Sequence, residues 1–255
     1  VSSTDARPAM AAGDLVINGF AVGAADAGAD GASTADQNLS SIAIAASINK
    51  VSDLSGVTAN VNATEVAGTE VASVATGGNF TVNGVTINVG GSGDASTLAT
   101  DLQGVADAIN LKSGQTGVTA SIDLNNIQQG VSLSAADGRN IDIVGAAAAT
   151  AGVGAADTYV GSYTLVSQDG SDITISSNTG ASLENAGLEV GNYSGAKATA
   201  VSDTLGGTAL TSGDLVINGT AVGATFSSYD TASTANKDAS AISVATAINL
   251  VSDQT

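Results

Sequence analysis

The chain has 255 residues and a formal net charge of −18, with 24 Asp and Glu against six Lys and Arg. This balance excludes nucleic acid and anionic membrane surfaces as partners, because both are bound through concentrated basic patches that displace counterions. Neither Cys nor His occurs, which removes disulfide frameworks, thiolate metal sites and the commonest general base and zinc ligand.

Aromatic residues make up 3% of the chain, so its apolar content is mainly Ala, Val, Ile and Leu, and small, thin cores are expected. No apolar run approaches the ~20 residues of a membrane helix. The opening, VSSTDARPAM, lacks an initiator Met and the basic and apolar regions of a secretory signal, and reads as the start of an internal or processed piece.

The first element lies at 15–22, where LVINGFAV reads as two short strands joined by Asn18-Gly19. Asn-Gly is the pair best suited to hold positive φ at both centres of a type I′ turn, which predicts a two-residue hairpin. A Ser/Thr-rich stretch follows, in which Thr34 and Gln37 fit a capping box. Ile44, Ile48 and Val51 then give one apolar stripe on a short helix, and the alternation of Val57, Ala59 and Val61 predicts a third strand. The unit is ββαβ.

That unit recurs. GDLVING at 13–19 returns unchanged at 213–219, and ASTADQNLSSIAIAASINKVSD (32–53) aligns without a gap with ASTANKDASAISVATAINLVSD (232–253). Val244, Ile248 and Val251 repeat the helical stripe. A diverged copy lies between them, with the turn Asn83-Gly84, the helix residues Val105 and Ile109, and the strand residues Val118, Ala120 and Ile122. The last copy ends at Thr255, where its GVTA strand would begin, and so reads as truncated.

A second pattern appears in LSAADGRNIDI (133–143) and LVSQDGSDITI (165–175), both read as hairpins turning at Asp-Gly. The Ala/Gly run at 145–156 is the best linker candidate, with a short Ala helix as the alternative, and 157–200 reads as all-β. The fold class is therefore α+β and strand-rich, with tandem small ββαβ modules plus β-hairpin segments. The segments are 1–67, 68–150, 151–200 and 201–255, the last truncated before its final strand.

Sites of chemistry are scarce. No pair of carboxylates is singled out for acid–base work, so no catalytic, cofactor-binding or metal residue is assigned and no cofactor is implied. Asp26 and Asp30 in DAGADG could converge oxygen ligands on Ca²⁺, but TFSSYD, the equivalent loop of the last copy, lacks the pattern, which favours an ordinary acidic loop. GGSGDASTL (90–98) departs from the calcium β-roll nonapeptide and reads as a glycine-rich turn. Lys50, Lys112, Lys197 and Lys237 are scattered singly, without a phosphate loop. Asn38, Asn62, Asn79, Asn192 and Asn218 begin N-x-Ser/Thr sequons, read as coincidence in so Asn-, Ser- and Thr-rich a chain.

The module resembles the flagellin IN motif of bacterial flagellins and of flagellar cap and hook-associated proteins. The matching residues are Ile17, Asn18, Gly19, Ile48, Asn49, Gly56, Val57, Thr58 and Ala59 in the first copy. In the second they are Val82, Asn83, Gly84, Ile109, Asn110, Gly117, Val118, Thr119 and Ala120, and in the last Ile217, Asn218, Gly219, Ile248 and Asn249. The segment 132–143 is also similar to the one that follows this motif in those proteins. The resemblance implies the central, variable outer region of a flagellin: a structural, non-enzymatic part of an extracellular motility filament. Its implied partners are other flagellin subunits in a helical homopolymer, together with the flagellar export apparatus and chaperones acting through regions not present here. Surface Ser and Thr are candidate glycan carriers; nucleic acid and membrane are not expected partners. A flagellar cap or hook-associated protein is the first alternative, and a cell-surface adhesin or surface-layer fragment the second.

Overall fold

In the computed structural model, residues 8–180, 183–194, 209–217 and 219–252 are described. Two compact units are formed, Val1–Lys197 and Ala198–Thr255. Both mix short helices with small antiparallel pairings, so the fold is α+β and strand-rich.

In the first unit the chain runs β1 (Val16–Ile17), β2 (Phe20–Ala21), α1 (Ser41–Asn49), α2 (Ser52–Ser55), β3 (Val57–Val61) and β4 (Thr64–Val66). It continues through β5 (Gly78–Val82), β6 (Val85–Val89), α3 (Leu98–Asn110), α4 (Ser113–Thr116), β7 (Thr119–Ile122), β8 (Val131–Ala135) and β9 (Ile141–Val144). The last elements are α5 (Ala147–Thr150), β10 (Asp157–Tyr159), β11 (Tyr163–Ser167), β12 (Ile173–Ser176) and β13 (Gly191–Tyr193).

The Asn-Gly hairpins form as expected. Asn18 and Gly19 adopt φ of 50° and 85°, and Asn83 and Gly84 adopt 49° and 77°, so both central positions are left-handed as a type I′ turn requires. The capping expectation is corrected. The N-cap of α1 is Ser40, whose hydroxyl accepts from Ala43 N at 3.0 Å, because a 3₁₀ turn at Gln37–Leu39 delays the helix. Gln37 instead turns back to donate to the carbonyls of Asp30 and Ser33.

The Asp-Gly hairpins are also corrected. β8 pairs with β4 and β7, whereas β9 pairs with β5 and β10; β11 pairs with β3, whereas β12 pairs with β1 and β13. Each Asp-Gly is a corner that carries the chain from one sheet to another. Only the glycine is left-handed, at φ 76° in both Gly138 and Gly170. The aspartate instead makes a local turn, Asp137 accepting from Arg139 N and Asp169 from Ser171 N. One positive φ bends a chain without aligning its arms for the two-residue ladder.

These corners expose the architecture of the first unit. β3 pairs with β11 in the register that joins β7 to β8: Ala59 faces Leu165 as Ala120 faces Leu133. β1 pairs with β12 as β5 pairs with β9, Ile17 facing Ile175 as Val82 faces Ile143. β12 pairs with β13 as β9 pairs with β10, Ile173 facing Tyr193 as Ile141 faces Tyr159. There are thus two copies of one longer module. In the inner copy β7 runs to β8 through a short loop, but in the outer copy the whole inner module is inserted between β3 and β11.

The ends of the insertion lie side by side, with Asn62 N donating to Ser162 O at 2.9 Å and Asn62 Nδ2 to Ser162 Oγ at 3.1 Å. Adjacent ends are the geometry that lets one domain accept another without distortion. Each module has its own core. The inner one includes Phe80, Ile87, Leu102, Ile109, Leu133 and Ile141; the outer one joins Met10, Leu15, Ile17, Ile44 and Ile48 to Ile173, Ile175 and Leu183 from beyond the insertion. Strand pairings therefore cross the sequence boundaries at 67 and 150, β4 with β8 and β9 with β10.

The Ala/Gly run is not a linker. Its turn of helix α5 sends Ala148, Ala151 and Val153 into the inner core, each at 0% exposure, and Gly152 O accepts from both Thr69 N and Val131 N. Small residues there let backbones approach closely enough to share one carbonyl.

The second unit repeats the opening of the outer module: β14 (Val216–Ile217), β15 (Thr220–Ala221) and α6 (Ala241–Asn249), with Ser240 as N-cap. Its stripe residues Val244, Ile248 and Val251 are half-buried. Asn218 lies outside the described residues.

Candidate functional site

The residues shared by the copies converge on two backbone clasps in each complete module. The first is made by the turn asparagine. Asn18 donates its backbone N–H to Thr174 O at 2.9 Å and accepts from Thr174 N through Oδ1 at 2.8 Å. Its Nδ2 reaches Ser55 O at 2.8 Å. Asn83 repeats all three bonds with Asp142 O, Asp142 N and Thr116 O, at 2.9, 2.8 and 2.8 Å. One side chain thus ties the hairpin to the strand after the Asp-Gly corner and to the end of the second short helix.

The second clasp uses the asparagine that ends the main helix. Asn49 accepts from Ala59 N at 2.8 Å and donates to Ala59 O at 3.0 Å. Asn110 does the same to Ala120, at 2.8 and 2.9 Å. A carboxamide carries one acceptor and one donor group in the geometry of a peptide, so it can stand in for a missing strand neighbour. Aspartate would lack the donor. The preceding Ile48 and Ile109, both at 0% exposure, pin the helix end that presents the clasp. These roles were missed from sequence; the signal that could have found them is the recurrence of Asn, a weak helix former, at the last turn of each helix.

The acidic loop residues Asp26 and Asp30 act separately. Asp26 accepts from Gly28 N at 3.0 Å, and Asp30 accepts from Ala32 N and Ser33 N, both at 2.9 Å. Asp30 is buried, which pushes its carboxyl up, but hydrogen bonds from Ser33, Ser40 and Ala32 outweigh burial and hold it below the usual range. Asp230 repeats that arrangement with Ala232 and Ser233, and its carboxyl is lowered by Ser233 and Ser240. The loop TFSSYD thus keeps the buried aspartate while lacking a counterpart of Asp26. Among the described residues, no three acidic side chains are grouped to hold a metal ion.

In 90–98, Ser92 and Thr97 converge on Asp101 at the start of α3, with hydroxyl contacts of 2.9 and 3.0 Å. Bonds from Ser92, with a smaller contribution from Thr97, lower its carboxyl, and the helix N-terminus favours its charge. Among the described lysines, Lys50 follows α1, Lys112 precedes α4 and Lys237 begins a 3₁₀ turn of the second unit; Lys197 lies outside the described residues. Of the sequon asparagines, Asn38, Asn79 and Asn192 are exposed, Asn62 closes the insertion, and Asn218 again lies outside the described residues.

A groove of about 740 Å³ opens on the outer module, lined by Tyr163, Leu165, Val166, Ile173, Leu188 and Tyr193 among others. No helix among the described residues is long and apolar enough to cross a membrane. No protein-family model matches the chain, and no curated protein sequence is similar to it.

Proposed function

We propose that the chain is a structural protein, the surface-exposed outer region of a flagellin on the outside of a bacterial motility filament. The observation that carries this reading is where the motif residues spend their chemistry. Asn18, Asn49, Asn83 and Asn110, on which the resemblance rests, commit their carboxamides to the protein's own backbone. Residues recurring in order to build modules fit a part whose task is shape and surface. The charge of −18 suits a region that must remain soluble at the high local density of a polymer.

On this reading the chain is extracellular, exported by the flagellar secretion apparatus, and its partners are further subunits of the same filament. Immunogold electron microscopy of intact source cells, with antibody raised against this chain, tests it. Gold along whole filaments is the expected result. Gold confined to filament tips or the hook junction would replace it with the cap or hook-associated reading, and gold on the cell body beside bare filaments would favour an adhesin.

A further inference from the structure

One contact between the two modules of the first unit is made by a loop that the second unit repeats. Asp30 folds this loop by accepting from Ala32 N and Ser33 N, Asp36 takes left-handed backbone at φ 49°, a 3₁₀ turn follows at Gln37–Leu39, and Ser40 caps α1. Asp230, Asn236 at φ 46°, the turn Lys237–Ala239 and Ser240 repeat each step. The two loops have one backbone shape.

In the first unit the loop is the seat of the inner module's Asp-Gly corner. Asn140 N donates to Ser33 Oγ at 2.8 Å, and Asn140 Nδ2 donates to Ala35 O and Asp36 O at 3.0 and 3.1 Å. Successive carbonyls point to opposite sides of an extended chain, but the left-handed turn at Asp36 brings both toward one amide. Ser41 Oγ completes the contact by donating to Gly138 O at 3.2 Å. The Arg139 guanidinium, held charged first by its bond to Asp137, is favoured also by the charge of Asp30. Asn140, Ser33 and Ser41 are closed off from solvent, at 0, 4 and 1% exposure.

In the second unit the same groups face outward. Ser233 is half-buried where Ser33 is buried, and Ala235 and Ala241 are exposed where Ala35 is half-buried and Ser41 buried. The corner of the outer module does not match this seat, because Ser171 and Asp172 stand where the inner corner has Arg139 and Asn140. An aspartate has no donor for the two carbonyls, and it would bring a second negative charge toward the buried Asp230.

We propose that the loop 230–241 is a docking seat for the Asp-Gly-Arg-Asn corner of a further inner-type module. The asparagine of that corner would bond Ser233 Oγ through its backbone N–H and Ala235 O and Asn236 O through its carboxamide, with the arginine beside Asp230. The chain's own corner of this kind, at 137–140, is already seated on the first loop. Ala241 in place of Ser41 removes one of the four bonds, so the second seat is the weaker.

NMR of the ¹⁵N-labelled full chain, titrated with a head-to-tail cyclic peptide of residues 135–141 (AADGRNI), tests this. The peptide is first checked for the left-handed glycine that Gly138 shows at φ 76°. The amides of Ser233, Ala235 and Asn236 are expected to shift and saturate at millimolar peptide, while those of Ser33, Ala35 and Asp36, whose seat is filled, stay in place. The same peptide with Asn140→Asp, and a cyclic peptide of residues 167–173 (SQDGSDI), are expected to bind at least ~10-fold more weakly, because a carboxylate leaves both carbonyls unpaired. The chain itself is unaltered in these comparisons, so no result turns on a variant that fails to fold. Absence of shifts at 230–241, equal shifts at 30–41, or equal binding of the carboxylate peptides would each overturn the proposal.

Discussion

GDLVING occurs twice with identical residues and two environments. At 13–19 its Asp14, Leu15, Val16 and Ile17 are buried, at 4, 0, 3 and 0% exposure. At 213–219 Asp214 is exposed, Val216 is 56% exposed, and Leu215 and Ile217 are half-buried. Local structure is nevertheless the same: Gly19 and Gly219 share φ of 85° and 86°, and both copies make a two-residue hairpin. What differs is the neighbour. β1 is flanked by β12, whereas β14 pairs with β15 alone among the described residues. Seven residues therefore specify a turn, and burial comes from strands far away in sequence.

The largest expected contrast lies in the side chains that only one copy buries. Ile17→Ala should destabilise the first unit by about 2–5 kcal/mol, through lost burial and the cavity left behind. Ile217→Ala should cost under ~1 kcal/mol, since little burial is removed. Urea unfolding of each variant, followed by exchange within each unit, separates the two; equal losses would mean that the copies are equally packed.

Next come the clasps. Asn49→Ala leaves both polar groups of Ala59 without their partner and should cost about 1–3 kcal/mol. Asn49→Asp keeps the acceptor and should fall between Ala and wild type. If Asp behaved like Asn, the donated bond to Ala59 O would contribute nothing.

The turn glycines should remove the contrast. Gly19→Val and Gly219→Val each force a β-branched residue into left-handed backbone, at about 1–2 kcal/mol. Nothing lies within 4 Å of the added Cβ at either site, so the cost is conformational and should be similar in both copies. Unchanged hairpin exchange in either variant would refute that turn.

The smallest expected effect is on pH dependence. The Asp14 carboxyl is held below its ordinary range by the Ala11 N–H and by the side chains of Thr179 and Asn185. A carboxyl lowered by folding adds stability above its unfolded value and loses it as pH falls through the folded one. Asp14→Asn should therefore lose stability at neutral pH and flatten the decline between about pH 5 and pH 2. A decline as steep as that of the unaltered chain would assign the acid sensitivity elsewhere.

The legible part of this fold was its local part. Asn-Gly announced both described complete hairpins, the stripe of Ile44 and Ile48 announced a helix, and alternation announced β3. The Asp-Gly frames misled because Asp-Gly serves a hairpin or a corner equally well, and only a long-range partner decides between them. Insertion of one module into another was hidden for the same reason, since nothing near Val61 or Tyr163 states that these residues face each other. Ser40 was obscured as the cap by a second Ser/Thr-rich candidate a turn and a half upstream. The clasp asparagines stood in the copied motif, but their partners are ten or more residues away and are backbone groups, which carry no sequence signal.

The central claim is that residues 62–162 form a complete module set inside another. Because Asn62 and Ser162 continue the register of Val61 and Tyr163 and are joined by a backbone hydrogen bond, replacing 63–161 by a two-residue Asn-Gly turn should convert β3 and β11 into an ordinary hairpin. The shortened chain should unfold cooperatively and show close proton contacts between Ala59 and Leu165 by NMR. Loss of the Ala59–Leu165 contact, with residues 8–61 unfolded, would contradict the nested architecture.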